Sequence, residues 1–287
     1  MNFAFSEEQE QLRDAVRRFL EAKSASEDVR RLMETTDGYD PAVWSQMANE
    51  LGLQSLAIPE EFGGQGFTFV ELGIVLEEMG RVLLCAPYFS SVVLAANAIL
   101  NAGTDADKAA LLPGIAAGET IAALAFTEPN GKWDASGITM EAAGSGDAYT
   151  LSGTKMFVID GHVANTVVVV ARQAGTTGED GIGFFVVDGD AAGLTRTPLA
   201  TMDQTRKQAR LDFENVAARP LGAVGAGWPA LSKTLDQAAV AIANESVGGA
   251  QKCLEMSVEY AKVRVQFGRP IGSFQAIKHK CADMLLE

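Results

Sequence analysis

The spacing of apolar residues changes character twice along this chain, and that double switch limits the available folds more than any single motif does. Ser6-Glu7-Glu8-Gln9 has the form of a capping box. Leu12, Val16, Phe19 and Leu20 follow it at helical intervals. Asp40-Pro41 makes an N-cap and first-turn pair, Trp44, Met47, Ala48 and Leu51 form the next stripe, and Gly52 supplies a stop. The stretch 58–66 breaks all periodicity, and helices are predicted again over about 70–81, 91–100 and 106–112. At Thr120 the texture becomes that of strands. The segments 121–127, 148–151, 156–159, 166–171, 182–187 and 208–213 are short, rich in Val, Ile and Phe, and punctuated by Gly, Asp and Asn. No helical pattern separates them, which predicts an antiparallel sheet or barrel. Helical spacing returns after Gly227 and again after Phe274. The chain therefore reads as α+β, with a helical region 1–120, a β region 121–225 and a second helical region 226–287.

Composition narrows the function classes. The 287 residues carry a net charge of -14, which excludes nucleic acid as a general partner because phosphate affinity needs a cationic surface. Three cysteines, Cys85, Cys253 and Cys281, have no metal spacing and read as reduced thiols, so a cytoplasmic location is expected. The first residues lack a basic start and apolar run, no segment has the length of a membrane span, and two histidines make a histidine-based metal site improbable. Gly222-Ala-Val-Gly225-Ala-Gly227 superficially matches a dinucleotide fingerprint. It has neither the βαβ context nor a downstream acid, so the glycines are read as a turn from sheet into helix.

Three strings remain that point to chemistry. Tyr260-Ala-Lys-Val-Arg264-Val-Gln266-Phe267-Gly268-Arg269-Pro270-Ile271, followed by Phe274-Gln275, sets a guanidinium at the end of one helix and an amide at the start of the next. Such a pair can grip a phosphate-bearing ligand. Ala125-Phe126-Thr127-Glu128-Pro129 ends the first strand, and Gly153-Thr-Lys155-Met-Phe157-Val158-Ile159-Asp160-Gly161 ends a later one. Together, in this order and over the full length of the chain, these strings resemble the acyl-CoA dehydrogenase family.

That resemblance implies a helical domain, a middle β-domain and a C-terminal helical bundle, with FAD as cofactor. Phe126 and Thr127 are then expected against the flavin, Phe157 over its face, and Ile159 at its edge through the backbone amide alone. Arg264, Phe267 and Gln275 are expected to reach the FAD of a neighbouring subunit, so an oligomer follows, by family habit a tetramer, of like or unlike chains. The implied activity is α,β-dehydrogenation of an acyl-CoA thioester to a trans-2-enoyl-CoA, in fatty-acid or steroid catabolism, with electrons passed to an electron-transfer flavoprotein. The pattern also has departures. Trp133 stands where the family has a serine on the CoA arm, Ile159 replaces a hydroxyl residue, and Ala239 replaces an arginine near Asp236, which aligns with an aspartate beside the thioester. The helical pattern runs to Glu287 with no C-cap signal, where relatives continue through further helices.

The reaction needs a base at the α-carbon, and the thioester oxygen must be hydrogen-bonded as charge develops. Most relatives carry this base beyond Glu287, and a minority carry it at the position of Ala238. Glu245, seven residues further on nearly the same helix face and about 10 Å along the axis, is the acid that this helix does hold. Burying it ionised in an Ala/Val/Ile/Gly helix would be costly, which marks it as a candidate catalytic base against a structural role, paired with an arginine or facing a subunit seam. Two other readings stay open. One is a non-catalytic subunit that completes a partner's flavin site; the other is a flavin oxidase or monooxygenase on the same fold.

Overall fold

The computed structural model describes residues 4–287. Helices α1 (Glu7–Lys23), α2 (Ser26–Met33), α3 (Pro41–Asn49) and α4 (Phe69–Val82) open the chain. The expected caps form: Ser6 and Gln9 make the reciprocal capping box, and the Asp40 carboxylate accepts from the backbone N–H groups of Ala42 and Val43. The helix expected over 91–100 begins instead as a π-helical turn, Phe89–Ala95, and becomes regular only in α5 (Ala96–Ala102). Helix α6 (Asp105–Ala116) runs past the expected stop at Leu112 and takes Pro113 into its last turn.

Seven strands follow: β1 (Ala122–Ala125), β2 (Glu141–Ser145), β3 (Ala148–Ile159), β4 (Thr166–Gln173), β5 (Ile182–Asp188), β6 (Leu194–Pro198) and β7 (Gln208–Gly225). They form one sheet in the order β1-β4-β2-β3-β7-β5, with β6 on β7 and β4 also on β5. Most pairings are antiparallel, as expected; β4 alone runs parallel to its partners β1 and β2. The two segments expected at 148–151 and 156–159 are one strand, β3, bulged between Lys155 and Val158. The strand expected to end at Phe213 continues to Gly225.

Helix α7 (Trp228–Val263) then crosses α4 at very short range. A Cβ on Gly80 would stand 1.9 Å from the Glu245 carbonyl oxygen, and one on Gly248 would stand 1.8 Å from that of Glu77. Only glycine admits this backbone-to-backbone approach. Glu78, 1% exposed, binds α1 to α4 through Arg13 at 3.3 Å and Arg17 at 2.7 Å, while Arg81 grips Glu255 of α7 with both nitrogens. That bidentate grip holds the Glu255 carboxyl down at about 2. The crossing fixes where α7 presents its side chains to the sheet. A two-residue hairpin of β8 (Val265–Gln266) and β9 (Arg269–Pro270) leads into α8 (Gln275–Leu286).

Candidate active site

A cavity of about 470 Å³ lies between the end of β1, the bulge of β3, the start of β7, the π-helical turn and α7. Each wall has a local cause. Strand β1 is fully buried and delivers Phe126 and Thr127 where its pairing ends; the Met156 amide donates to the Thr127 carbonyl at 2.8 Å and holds that end against β3. Beneath it, Lys155, wholly buried, reaches the Glu128 carboxylate at 2.7 Å. The same carboxylate accepts from the Thr139 and Met140 amides and the Thr139 hydroxyl. Burial opposes ionisation of Glu128, but the charge and N–H of Lys155 and these donors outweigh it and hold the acid below the usual carboxylate range. The pair is a rigid floor.

The bulge above that floor turns Phe157 outward with φ of 56°, a left-handed conformation that a phenylalanine adopts at a cost of about 1–3 kcal/mol. Its ring stays 52% exposed on the cavity wall beside Ile159. Trp133, 68% exposed, closes the same wall edge-on to Phe126, with ring centroids 5.7 Å apart. Helix α7 contributes Leu235, Ala238, Ala239 and Ile242.

The structure thus brings together Phe126, Thr127, Trp133, Phe157 and Ile159, all expected at the site from sequence. It does not bring in the rest. Asp236 is exposed on α7 and does not line the cavity, because the face presented there carries Leu235, Ala238, Ala239 and Ile242. Arg264 caps the C-terminus of α7, Gln275 opens α8, and Phe267 lies 91% exposed at the hairpin tip; none of the three lines this chain's own cavity.

Glu245 also lies outside the wall. It sits in a small adjoining hollow with Leu76, Met79 and Tyr88, ion-paired to Arg206. Arg206 and Phe89 line both spaces and separate them, the guanidinium 4.7 Å from the centre of the Phe89 ring. The second oxygen of Glu245, Oε2, is buried without a hydrogen-bond partner. Among the described residues that line the main cavity there is no carboxylate.

Sequence reasoning missed Arg206, Phe89 and Gln208 as wall residues. Two adjacent cations, Arg206-Lys207, directly before a strand were the available signal. Lys207 donates to the Met33 carbonyl at 2.6 Å, and that anchor leaves Arg206 facing inward. Asp160, read only as part of an Asp-Gly turn, is a buried acid that accepts from the Ser90 hydroxyl at 2.8 Å. Burial pushes it up to about 7, against the opposing pull of Ser90 and the Arg206 charge.

Three adjacent sequence signatures cover almost the whole chain: acyl-CoA dehydrogenase N-terminal domain over residues 6–119, middle domain over 123–216 and C-terminal domain over 225–287. The chain belongs to the acyl-CoA dehydrogenase family. It is 34% identical to the probable acyl-CoA dehydrogenase YngJ of Bacillus subtilis, over 100% of this chain and 77% of that one. Among solved structures it is similar to the Tcur3481-Tcur3483 steroid ACAD, with 33% identity, TM-score 0.85, and coverage of 98% of this chain and 73% of that one. Butyryl-CoA dehydrogenase from Megasphaera elsdenii is 30% identical with TM-score 0.91, covering 100% of this chain and 77% of that one. Acyl-CoA dehydrogenases are FAD-dependent oxidoreductases acting on CH–CH bonds. The wall residues fit that cofactor. Exposed faces of Phe157 and Trp133 beside the backbone of Thr127 offer flat apolar surface with polar edges, which a tricyclic ring system requires. No helix among the described residues is long and apolar enough to cross a membrane.

Proposed function

We propose that this acyl-CoA dehydrogenase converts an acyl-CoA thioester to its trans-2-enoyl-CoA in the cavity between the β3 bulge and α7. The observation that carries this reading is the convergence of Phe126, Thr127, Phe157 and Ile159 on one apolar chamber against α7. Phe126, Thr127, Phe157 and the Ile159 backbone would hold FAD, and FAD, when bound, supplies the hydride acceptor for the β-carbon. Trp133 closes the chamber where the thioester arm enters, and its indole excludes water from the reacting carbons. Asp236, exposed on α7, is assigned to the CoA arm.

The α-proton needs an acceptor, and Glu245 is this chain's candidate. Its Oε1 is held by Arg206 while Oε2 stays free, so one oxygen is fixed and the other is available to take a proton. This role requires Glu245 to leave Arg206 and enter the chamber from the adjoining hollow. Glu245→Gln separates the possibilities. In anaerobic mixing with an acyl-CoA that reduces the wild type, this variant should bind the thioester and fail to bleach the flavin band. Full bleaching would remove Glu245 from the reaction.

A specific observation favours a second reading. No carboxylate lines the chamber among the described residues, while Arg264, Phe267 and Gln275 all stand exposed. In this reading the chain is one subunit of a hetero-oligomer, lends those three residues to a neighbour's FAD, and receives its base from the partner. An oligomer follows from either reading. An electron-transfer flavoprotein is the proposed electron acceptor of the reduced enzyme. Co-purification with a second, related chain, and no turnover without it, would select the hetero-oligomer.

A further inference from the structure

Arg206 is an outlier in an otherwise apolar chamber. The other described residues that line it are aliphatic and aromatic apart from Thr127 and Gln208. A cation in such a wall is costly unless something holds it, and two things do. The Phe89 ring lies under its guanidinium at 4.7 Å, and Glu245 takes one nitrogen, Nη2, in an ion pair. Among the described residues Glu245 is its one hydrogen-bond partner. A guanidinium has five N–H donors, and none of the Arg206 nitrogens is a buried orphan, so the donors that Glu245 does not use reach open space.

The charge around those donors is already balanced. Glu245 neutralises Arg206 directly. A ligand carboxylate here would meet the Glu245 carboxylate that already neutralises the guanidinium, whereas an uncharged oxygen would accept from it without that repulsion. The position is also fixed. Glu245, which grips Arg206, lies seven residues past Ala238 on α7, about 10 Å along the axis.

We infer that Arg206 is a specificity-determining residue, and that the natural acyl group carries an uncharged oxygen acceptor, a ketone or hydroxyl, remote from the thioester and hydrogen-bonded by Arg206. This rests on the reading of the chamber as an acyl-thioester site in which a partner's carboxylate takes the α-proton, because Arg206, ion-paired to Glu245, would otherwise stand beside the thioester. Phe89 takes part as the platform that holds the guanidinium against the wall. A site built to donate to an oxygen penalises the ligand that lacks one, because the desolvated donor is then left unpaired.

The test is equilibrium binding to the FAD-loaded protein, read by calorimetry and by perturbation of the flavin spectrum. The ligands are three medium-chain acyl-CoAs of equal length: one with a ketone near its far end, one with a terminal carboxylate, one with neither. The ketone thioester is expected to bind about tenfold more tightly than the plain chain, and more tightly than the carboxylate. Arg206→Met should abolish that preference. Since this variant leaves Glu245 buried and unpaired, Arg206→Met/Glu245→Leu, which removes both partners, is measured beside it. Equal binding of all three ligands, tightest binding of the carboxylate, or a ketone preference that survives in the double variant would overturn the inference and leave the thioester reading standing. Failure of every thioester to bind would overturn both.

Discussion

At the scale of single residues, the side chains that sit against their local preferences are the ones that shape the chamber. Phe157 is held at φ of 56° by the β3 bulge, where glycine would be free of strain. Phe157→Gly should therefore leave the unfolding midpoint unchanged or raised, while FAD is held about tenfold less tightly for want of the ring. Calorimetry and flavin absorbance per chain check the two halves separately. Asp160 gives a pH signature. Its carboxyl is raised in the folded state from 3.8 to about 7, so between those values the folded chain holds a proton that the unfolded chain has lost. This residue's contribution to stability then falls as pH rises through that window and is constant above it. Asp160→Asn, which still accepts from Ser90, should remove that part of the slope; denaturant titrations of both proteins at several pH values give the difference. Legibility at this scale followed context. Phe126, Thr127, Trp133, Phe157 and Ile159 stand in strings whose neighbours reinforce them, whereas Arg206 gains its meaning from Phe89 and Glu245, both distant in sequence.

At the scale of elements, helix caps and stripes were readable because they are local. The Ser6 box and the Asp40 cap form as the residues dictate. Strands β2 and β6 were not read, and the reason is exposure: Glu141–Ser145 and Leu194–Pro198 bury at most one side chain each and contain no Val, Ile or Phe. The extension of β7 was hidden by Asn215, which adopts a φ of 53°, and by Pro220. The β8–β9 hairpin carries a prediction of its own. Its two turn residues, Phe267 and Gly268, have φ of 53° and 76°, the pattern of a type I′ turn, which favours Asn-Gly. Phe267→Asn should keep or improve the hairpin and shift chain stability by no more than about 0.5 kcal/mol. If the exposed ring serves a neighbour, the same change should weaken assembly and lower flavin content. Sedimentation and absorbance decide; an intact, flavin-loaded oligomer would take Phe267 out of the seam.

At the scale of the molecule, the order of helical, sheet and helical regions was plain from periodicity, because each change of texture spans tens of residues. What periodicity does not carry is the α4–α7 crossing. Two glycines, Gly80 and Gly248, set a backbone approach that fixes α7 over the sheet and decides that Ala238 faces the chamber while Glu245 meets Arg206. The proposed activity therefore requires that chamber to act as a dehydrogenase site. The most direct measurement is the visible absorption spectrum of the purified protein before and after anaerobic addition of a panel of acyl-CoAs. A flavin band that bleaches with at least one thioester, with the matching enoyl-CoA recovered, is the predicted result. A protein that binds no FAD, or whose flavin band stays unbleached with every thioester, would contradict it.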